Sequence, residues 1–274
     1  MRFGVSTFIT DEGIRPADLG RALEERGFDA VFLAEHTHIP ASRESPYPGG
    51  GELPRIYYRT LDPFVALGAM ASVTENLLLA TGIALVVERD PITTAKEVAS
   101  LDLVSGGRAI FGIGAGWNRE EMRNHGTDPR TRGALMDERI RAMRALWTQE
   151  QAEFHGEHVD FDPVYAWPKP VQDPHPPIYV GGESDRARAR VAEYGGGWLP
   201  RAGSGDLASM IAEVRERAGW RVPVSVYSAP DDAAEIASYA EAGVDRTLFL
   251  LPTEPRDTTL RLLDGYTALM RDFG

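Results

Sequence analysis

The chain has 274 residues, 41 acidic against 29 basic for a formal charge of −12, so as a whole it repels nucleic acid and anionic membranes. With 43% apolar and 26% charged residues it lies far from the low-hydrophobicity regime of disordered chains, and having no cysteine excludes disulfides, thiolate zinc sites and a cysteine nucleophile. No apolar run approaches the ~18 residues of a membrane span, and Asp11-Glu12 interrupt the first stretch before a signal-peptide core forms, which points to a cytoplasmic protein with no membrane or nucleic-acid partner.

No linker or shift in composition divides the sequence, so residues 1–274 are expected to form one domain. Along the chain, short apolar β-rich runs alternate with helical patterns, the arrangement that yields a parallel sheet with helical crossovers. Strands are predicted over 3–8, 30–34, 77–85, 109–114, 178–181, 197–200, 222–227 and 246–251. Asp62-Pro63 and Asp90-Pro91 each set a capping carboxylate before a proline whose fixed φ suits a first helical turn. The helix from Pro91 is expected to reach Val104 and stop at Ser105-Gly106-Gly107, and Asn118 with Glu121 three residues later reads as a capping box. Eight such units predict a (β/α)8 TIM barrel, although a doubly wound sheet shares the alternation. Two connections are long insertions, Thr37 to Leu61 after strand 2 and Thr148 to Pro177 after strand 4 and its helix. Both are expected to wall a pocket at the C-terminal ends of the strands, where barrels of this kind carry their chemistry.

The strand ends hold the informative residues. Gly112-Ile113-Gly114-Ala115-Gly116-Trp117-Asn118 turns a strand through three glycines into a helix start. Such a turn either exposes N–H groups to a bound anion or flat ligand, or merely lets strand and helix pack closely; it lacks the spacing of a full dinucleotide fingerprint. Gly181-Gly182-Glu183-Ser184 before an arginine-rich helix suits a phosphate as well as it suits a simple helix cap. Glu35-His36-Thr37-His38 closes the second strand and offers a general acid or base near neutral pH, or structural histidines. Further histidines are not placed to complete a metal site, so no metal is expected. Phe8, Trp117, Trp198 and Tyr227 fall near strand ends and either wall a flat ligand or belong to the core. Tyr47, Tyr57 and Tyr58, with Arg43, Arg55 and Arg59, form either a lid or a solvated segment.

Ala80-Thr81-Gly82-Ile83, Arg89-Asp90-Pro91-Ile92, Ala95-Lys96-Glu97, the run from Leu101 to Arg108 and the Gly112–Asn118 turn together resemble the luciferase-like monooxygenase superfamily. Further matches at Arg139 to Trp147, Phe154-His155-Gly156, Pro168-Lys169-Pro170 and Pro177 to Gly182 extend the resemblance over roughly residues 1–200. Within that superfamily the chain looks most like the branch that uses coenzyme F-420, an 8-hydroxy-5-deazaflavin.

The resemblance implies a luciferase-like barrel with the coenzyme ring in its C-terminal mouth, backed by a non-prolyl cis peptide at Gly82-Ile83. It implies coenzyme contacts from Thr81, Gly82, Ile83, Gly114, Ala115, Gly116 and Trp117, and a phosphate turn at Gly181, Gly182, Glu183 and Ser184. It implies a catalytic polar pair, Glu35 and His36, with His36 as proton donor, acting on a small organic substrate in a homodimer. Ala115 stands where bacterial luciferase places a flavin-phosphate arginine, which favours F-420 over FMN. Trp117 stands where the family's sugar-phosphate dehydrogenases place a glutamate acid, so their proton-transfer scheme does not carry over. The alternatives are an FMN-dependent luciferase-like monooxygenase and a non-catalytic flavin-type binding protein.

Overall fold

The structure is a computed structural model that describes residues 1–273. Its chain order is β1 (Arg2–Thr7), α1 (Pro16–Glu25), β2 (Ala30–Leu33), α2 (Pro63–Ala71), β3 (Leu78–Thr81), β4 (Ala84–Leu85), α3 (Pro91–Ser105), β5 (Ala109–Gly114), α4 (Arg119–Asn124) and α5 (Arg132–Thr148). There follow β6 (Ala152–His155), β7 (Asp160–Val164), β8 (Ile178–Gly181), α6 (Asp185–Tyr194), β9 (Gly197–Leu199), α7 (Leu207–Ala218), β10 (Ser225–Ala229), α8 (Ala233–Glu241), β11 (Arg246–Leu250) and α9 (Arg256–Met270).

Eight strands pair in the order β10-β11-β1-β2-β3-β5-β8-β9, every neighbour parallel. Isolated parallel bridges, Trp198 to Val224 and Arg201 to Tyr227, join the two ends of this row. The Tyr227 N–H donates to the Pro200 carbonyl at 2.8 Å and the Trp198 N–H to that of Pro223 at 2.9 Å. The result is a nearly closed barrel rather than an open doubly wound sheet, with helices on its outside, as the eight-unit count predicts. No helix among the described residues is long and apolar enough to cross a membrane.

Strand alternation sorts the core into two bodies. Ala30, Phe32, Ala80, Ile110, Tyr179, Leu199 and Leu248 pack together inside the barrel, with Leu78, Ile83 and Tyr227 against them. Their neighbours Val31, Leu33, Leu79, Phe111 and Val180 point outward and join the larger core under the helices. The interior is thus packed solid with side chains, and a ligand is left only the C-terminal mouth.

The helix signals act as the residue types dictate. Asp62 accepts from the Val65 N–H at 3.0 Å and Asp90 from the Thr93 N–H at 2.7 Å, while Gly106 ends α3 at φ 69, a left-handed conformation that costs glycine nothing.

Three expectations are corrected. The predicted strand over 77–85 is two strands, because the chain turns at Gly82-Ile83, whose peptide bond is cis. The capping box at Asn118 does not form: the Asn118 side chain caps nothing, and Glu121 turns into the protein instead. The second insertion does not wall the mouth. Its β6–β7 hairpin packs on α5, with Glu138 accepting from the N–H groups of Glu157, His158 and Val159. Farther along, Gln172 binds Asp102 and the Ala109 carbonyl, at the opposite, N-terminal end of β5.

Candidate active site

The mouth is organised around the turn between β3 and β4. The Gly82 N–H donates to the Leu33 carbonyl at 2.6 Å, and the Thr81 hydroxyl to the Gly112 carbonyl at 2.7 Å, pinning the turn between its neighbouring strands. Ile83 then projects across β5 and β8, whose facing positions are both glycine. A Cβ on Gly114 would lie 2.5 Å from Ile83 Cδ1, and one on Gly181 3.0 Å from Cγ2. These glycines are a seat for the Ile83 side chain, which rests on top of the interior layer as an apolar step in the mouth.

Polar chemistry gathers on one side of that step. His36, at the end of β2, is buried, and its Nδ1 lies 2.7 Å from Oε2 of Glu121, a fully buried carboxylate on α4. Glu35 faces away from His36. It accepts from the Leu85 N–H and from Arg89 Nε, each at 2.6 Å, and Arg89 also holds Glu97 and Asp62. Those carboxylates raise Arg89 further above its ordinary range against the pull of burial. Of the predicted polar pair, only His36 is therefore free to face a ligand, and its partner is Glu121. The two histidines of the H-x-H run also diverge, His38 pointing outward to Asn124 and His125.

Aromatic side chains cover the mouth. Tyr57, from a short 3-10 turn (Arg55–Arg59) in the first insertion, packs against Phe8 at 4.7 Å, His36 at 5.1 Å and Tyr47 at 5.3 Å between ring centroids. Trp117 lies edge-on to His36 and Tyr47, with the Arg43 guanidinium over its face. Burial, with Tyr47 beside it, pushes the Tyr57 phenol well above its usual range. The segment that carries these tyrosines is strapped down at two places. Arg55 and Arg59 pair with Glu12 and Asp11 on the loop after β1, and Ser45 is held through its N–H and hydroxyl by Glu120 of α4. It is a lid in position rather than a solvated loop.

The second glycine turn lies a short way round the rim. Ser184 accepts from the Ala187 N–H at 3.2 Å and so caps α6, Gly182 has φ +102, and Glu183 pairs with Arg201 after β9. Trp198, read as either a ligand wall or core, is core: it is fully buried outside the barrel and donates its Nε1–H to the Gly182 carbonyl at 2.9 Å. It braces the turn from behind. Ala115 packs against the core and Gly116 takes φ 69 to lead the chain from β5 to Trp117.

Glu121 and Glu88 were not anticipated. Glu121 was hidden by its fit to a capping pattern. Glu88, in the turn Val86–Glu88, carried one local signal, a lone acid closing an apolar run.

Residues 1–250 match the sequence profile of the luciferase-like monooxygenase family. An uncharacterized protein of Mycobacterium tuberculosis is 41% identical over 280 residues, covering 98% of both chains. An F420-dependent hydroxymycolic acid dehydrogenase of the same organism is 26% identical over 76% of this chain and 56% of its own. An FMNH(2)-dependent dimethylsulfone monooxygenase of Pseudomonas putida is 38% identical over 38% of this chain and 30% of its own. Among solved structures, monooxygenase RslO1 from Streptomyces bottropensis superposes with TM-score 0.84 at 19% identity, each chain covered in full.

Proposed function

The chain belongs to the luciferase-like monooxygenase family, and from that premise we propose that it is an F-420-dependent oxidoreductase exchanging a hydride between the deazaflavin and a small organic substrate. The observation that carries this is the Ile83 step, seated on two glycines beside a buried histidine–carboxylate pair. A flat, uncharged ring needs an apolar support on one face and a proton-transferring group at its edge, and both are present. A third requirement, an anchor for a phosphorylated tail, is answered by the Gly181-Gly182 turn at the start of α6, where the helix end favours an anion. When bound, the deazaflavin supplies hydride exchange at its ring carbon C5.

The protein supplies the rest. Ile83, Gly114, Gly116 and Trp117 shape the ring's bed, and Thr81 holds that bed through its bond to Gly112. His36 transfers a proton to or from the substrate at Nε2, the ring nitrogen left free by Glu121. Tyr47 and Tyr57 close the mouth against water. In an assembly of the expected kind, two copies pack through barrel helices in the cytoplasm.

The similarity to an FMNH(2)-dependent monooxygenase over part of the chain supports a second reading, an FMN monooxygenase on the same site. Against it stands Ala115, which supplies no cation for a flavin phosphate. Fluorescence titration of the apoprotein with F-420 and with FMN separates the two: F-420 is expected to bind at least tenfold more tightly (about 1.4 kcal/mol), and preferential FMN binding overturns the assignment. His36→Ala is expected to slow turnover about 100-fold or more while coenzyme affinity stays within a factor of two; unchanged turnover removes His36 from proton transfer.

A further inference from the structure

Glu88 has no part in the chemistry above, yet it is built into the same corner. It is 7% exposed, and neither carboxylate oxygen has a hydrogen-bond partner among the described residues. Two more unpartnered groups lie on the elements that face it: the whole side-chain amide of Asn118, 1% exposed, and Oε1 of Glu121, the oxygen not used by His36. The Gly116 turn ties them together, since a Cβ there would stand 3.8 Å from a Glu88 oxygen and 3.1 Å from Met122 of α4.

Buried polar atoms left dry are unfavourable to folding. Two of the five atoms lie on the Val86–Glu88 turn and three at the start of α4, and groups of this kind call for enclosed water. The charged groups around Glu88 are Glu121 of α4, Glu35 after β2, the adjoining Arg89, and Arg139 of α5, which donates to the Val86 carbonyl; His125 lies beyond Glu121. Arg89 is already bound to three carboxylates. Burial, and then the repulsion of Glu121 and Glu35, push Glu88 up to about 9. At neutral pH it is a carboxylic acid with a proton to donate.

We propose that Glu88 is a positioning residue for His36: as a neutral acid it donates, through water held by Asn118, to the free oxygen of Glu121, completing a His36–Glu121–Glu88 triad. The triad leaves one negative charge behind the imidazole. That charge holds the proton on Nδ1 and keeps Nε2 directed to the substrate, much as an orienting carboxylate does in other histidine sites. The inference rests on the proposed role of His36 in proton transfer. It also makes that role sensitive to a group that touches neither substrate nor coenzyme.

Histidine-labelled nitrogen NMR of the apoprotein from pH 6 to 10.5 tests the triad without any coenzyme. Wild-type His36 is expected to show an inflection near pH 9, as ionisation of Glu88 adds a second charge. Glu88→Gln, which donates but does not ionise, is expected to keep the Nδ1–H tautomer and lose that inflection. Glu88→Met, which does neither, is expected to lose the tautomer preference as well. In turnover, Glu88→Met is expected to lower kcat about tenfold with KM unchanged, and Glu88→Gln to recover most of that loss. His36 signals that coincide in all three proteins across the range overturn the proposal, as does an inflection near pH 9 that survives in Glu88→Gln. Absence of turnover with either coenzyme counts against the proposed activity and leaves the NMR result to decide the triad.

Discussion

Glu88→Gln should alter stability in a way that grows with pH. Burial, Glu121 and Glu35 raise the folded-state value of Glu88 to about 9, above the 4.5 of the unfolded chain. A carboxyl raised in this way contributes stability in full below pH 4.5 and loses it as pH rises through 9, because the folded state must hold a proton that the unfolded state releases. Each pH unit inside that window is worth up to about 1.4 kcal/mol. Glutamine, with the same shape and no proton to lose, carries no such dependence. Between pH 5 and pH 8 the variant should therefore gain about 2–4 kcal/mol on the wild type, the lower figure allowing for enclosed water. For a chain of this size that is a widening of the melting-temperature gap by about 4–8 °C. Differential scanning calorimetry of both proteins at pH 5, 6, 7 and 8 measures the gap, and titrating groups that do not interact with Glu88 cancel in the difference. Parallel curves with a constant gap would refute a neutral buried Glu88.

Glu121→Gln removes the charge behind His36 while keeping its shape; kcat is expected to fall about tenfold or more with coenzyme affinity within a factor of two, read by steady-state kinetics beside fluorescence titration. Gly112→Ala places a methyl group into the Thr81 carbonyl oxygen, a backbone atom that cannot swing aside. It is expected to cost about 3 kcal/mol, seen as a lower urea midpoint with an unchanged slope. Arg55→Ala combined with Arg59→Ala cuts the exposed straps to Glu12 and Asp11. Hydrogen exchange should accelerate across residues 47–58 while the melting temperature barely moves, and uniform acceleration over the whole chain would show that these pairs hold more than the lid.

The barrel was legible because each of its repeating units carries its own local signals. Aspartate before proline at 62 and 90 and glycine at 106 set helix limits through backbone chemistry that acts within a few residues. The break in the third strand was legible only through the family resemblance, which flags Gly82-Ile83; the residues themselves, apolar almost throughout from Leu77 to Val87, read as one run. Local reading also fails at Glu121. Its partner is 85 positions away, and Asn118-x-x-Glu121 fits a local capping pattern that tertiary packing overrides. For Trp198 and the second insertion, sequence position near a strand end or a mouth was no guide to the face on which the side chain or hairpin would lie. Residues whose role depends on touching a distant strand need the folded coordinates; residues whose role is to start or stop an element do not.

The distribution of stability costs bears on the choice between an enzyme and a passive carrier. A barrel that only held a ring would need the Ile83 step, the glycines beneath it and an anchor for the tail. It would gain nothing from an unpaired acid, an unsatisfied amide and a half-satisfied carboxylate sealed beneath its mouth, each unfavourable to folding. At other buried charges the same chain finds partners: Arg108 donates to the carbonyl oxygens of Ala71, Thr74 and Leu77, to the Thr74 hydroxyl and to its own turn, and Glu138 accepts three backbone N–H groups. Five unsatisfied atoms of the described residues lie on Glu88, Asn118 and Glu121 behind His36, where a proton-transferring side chain has use for a fixed charge and enclosed water. That concentration of cost on one histidine supports turnover rather than storage as the purpose of the site.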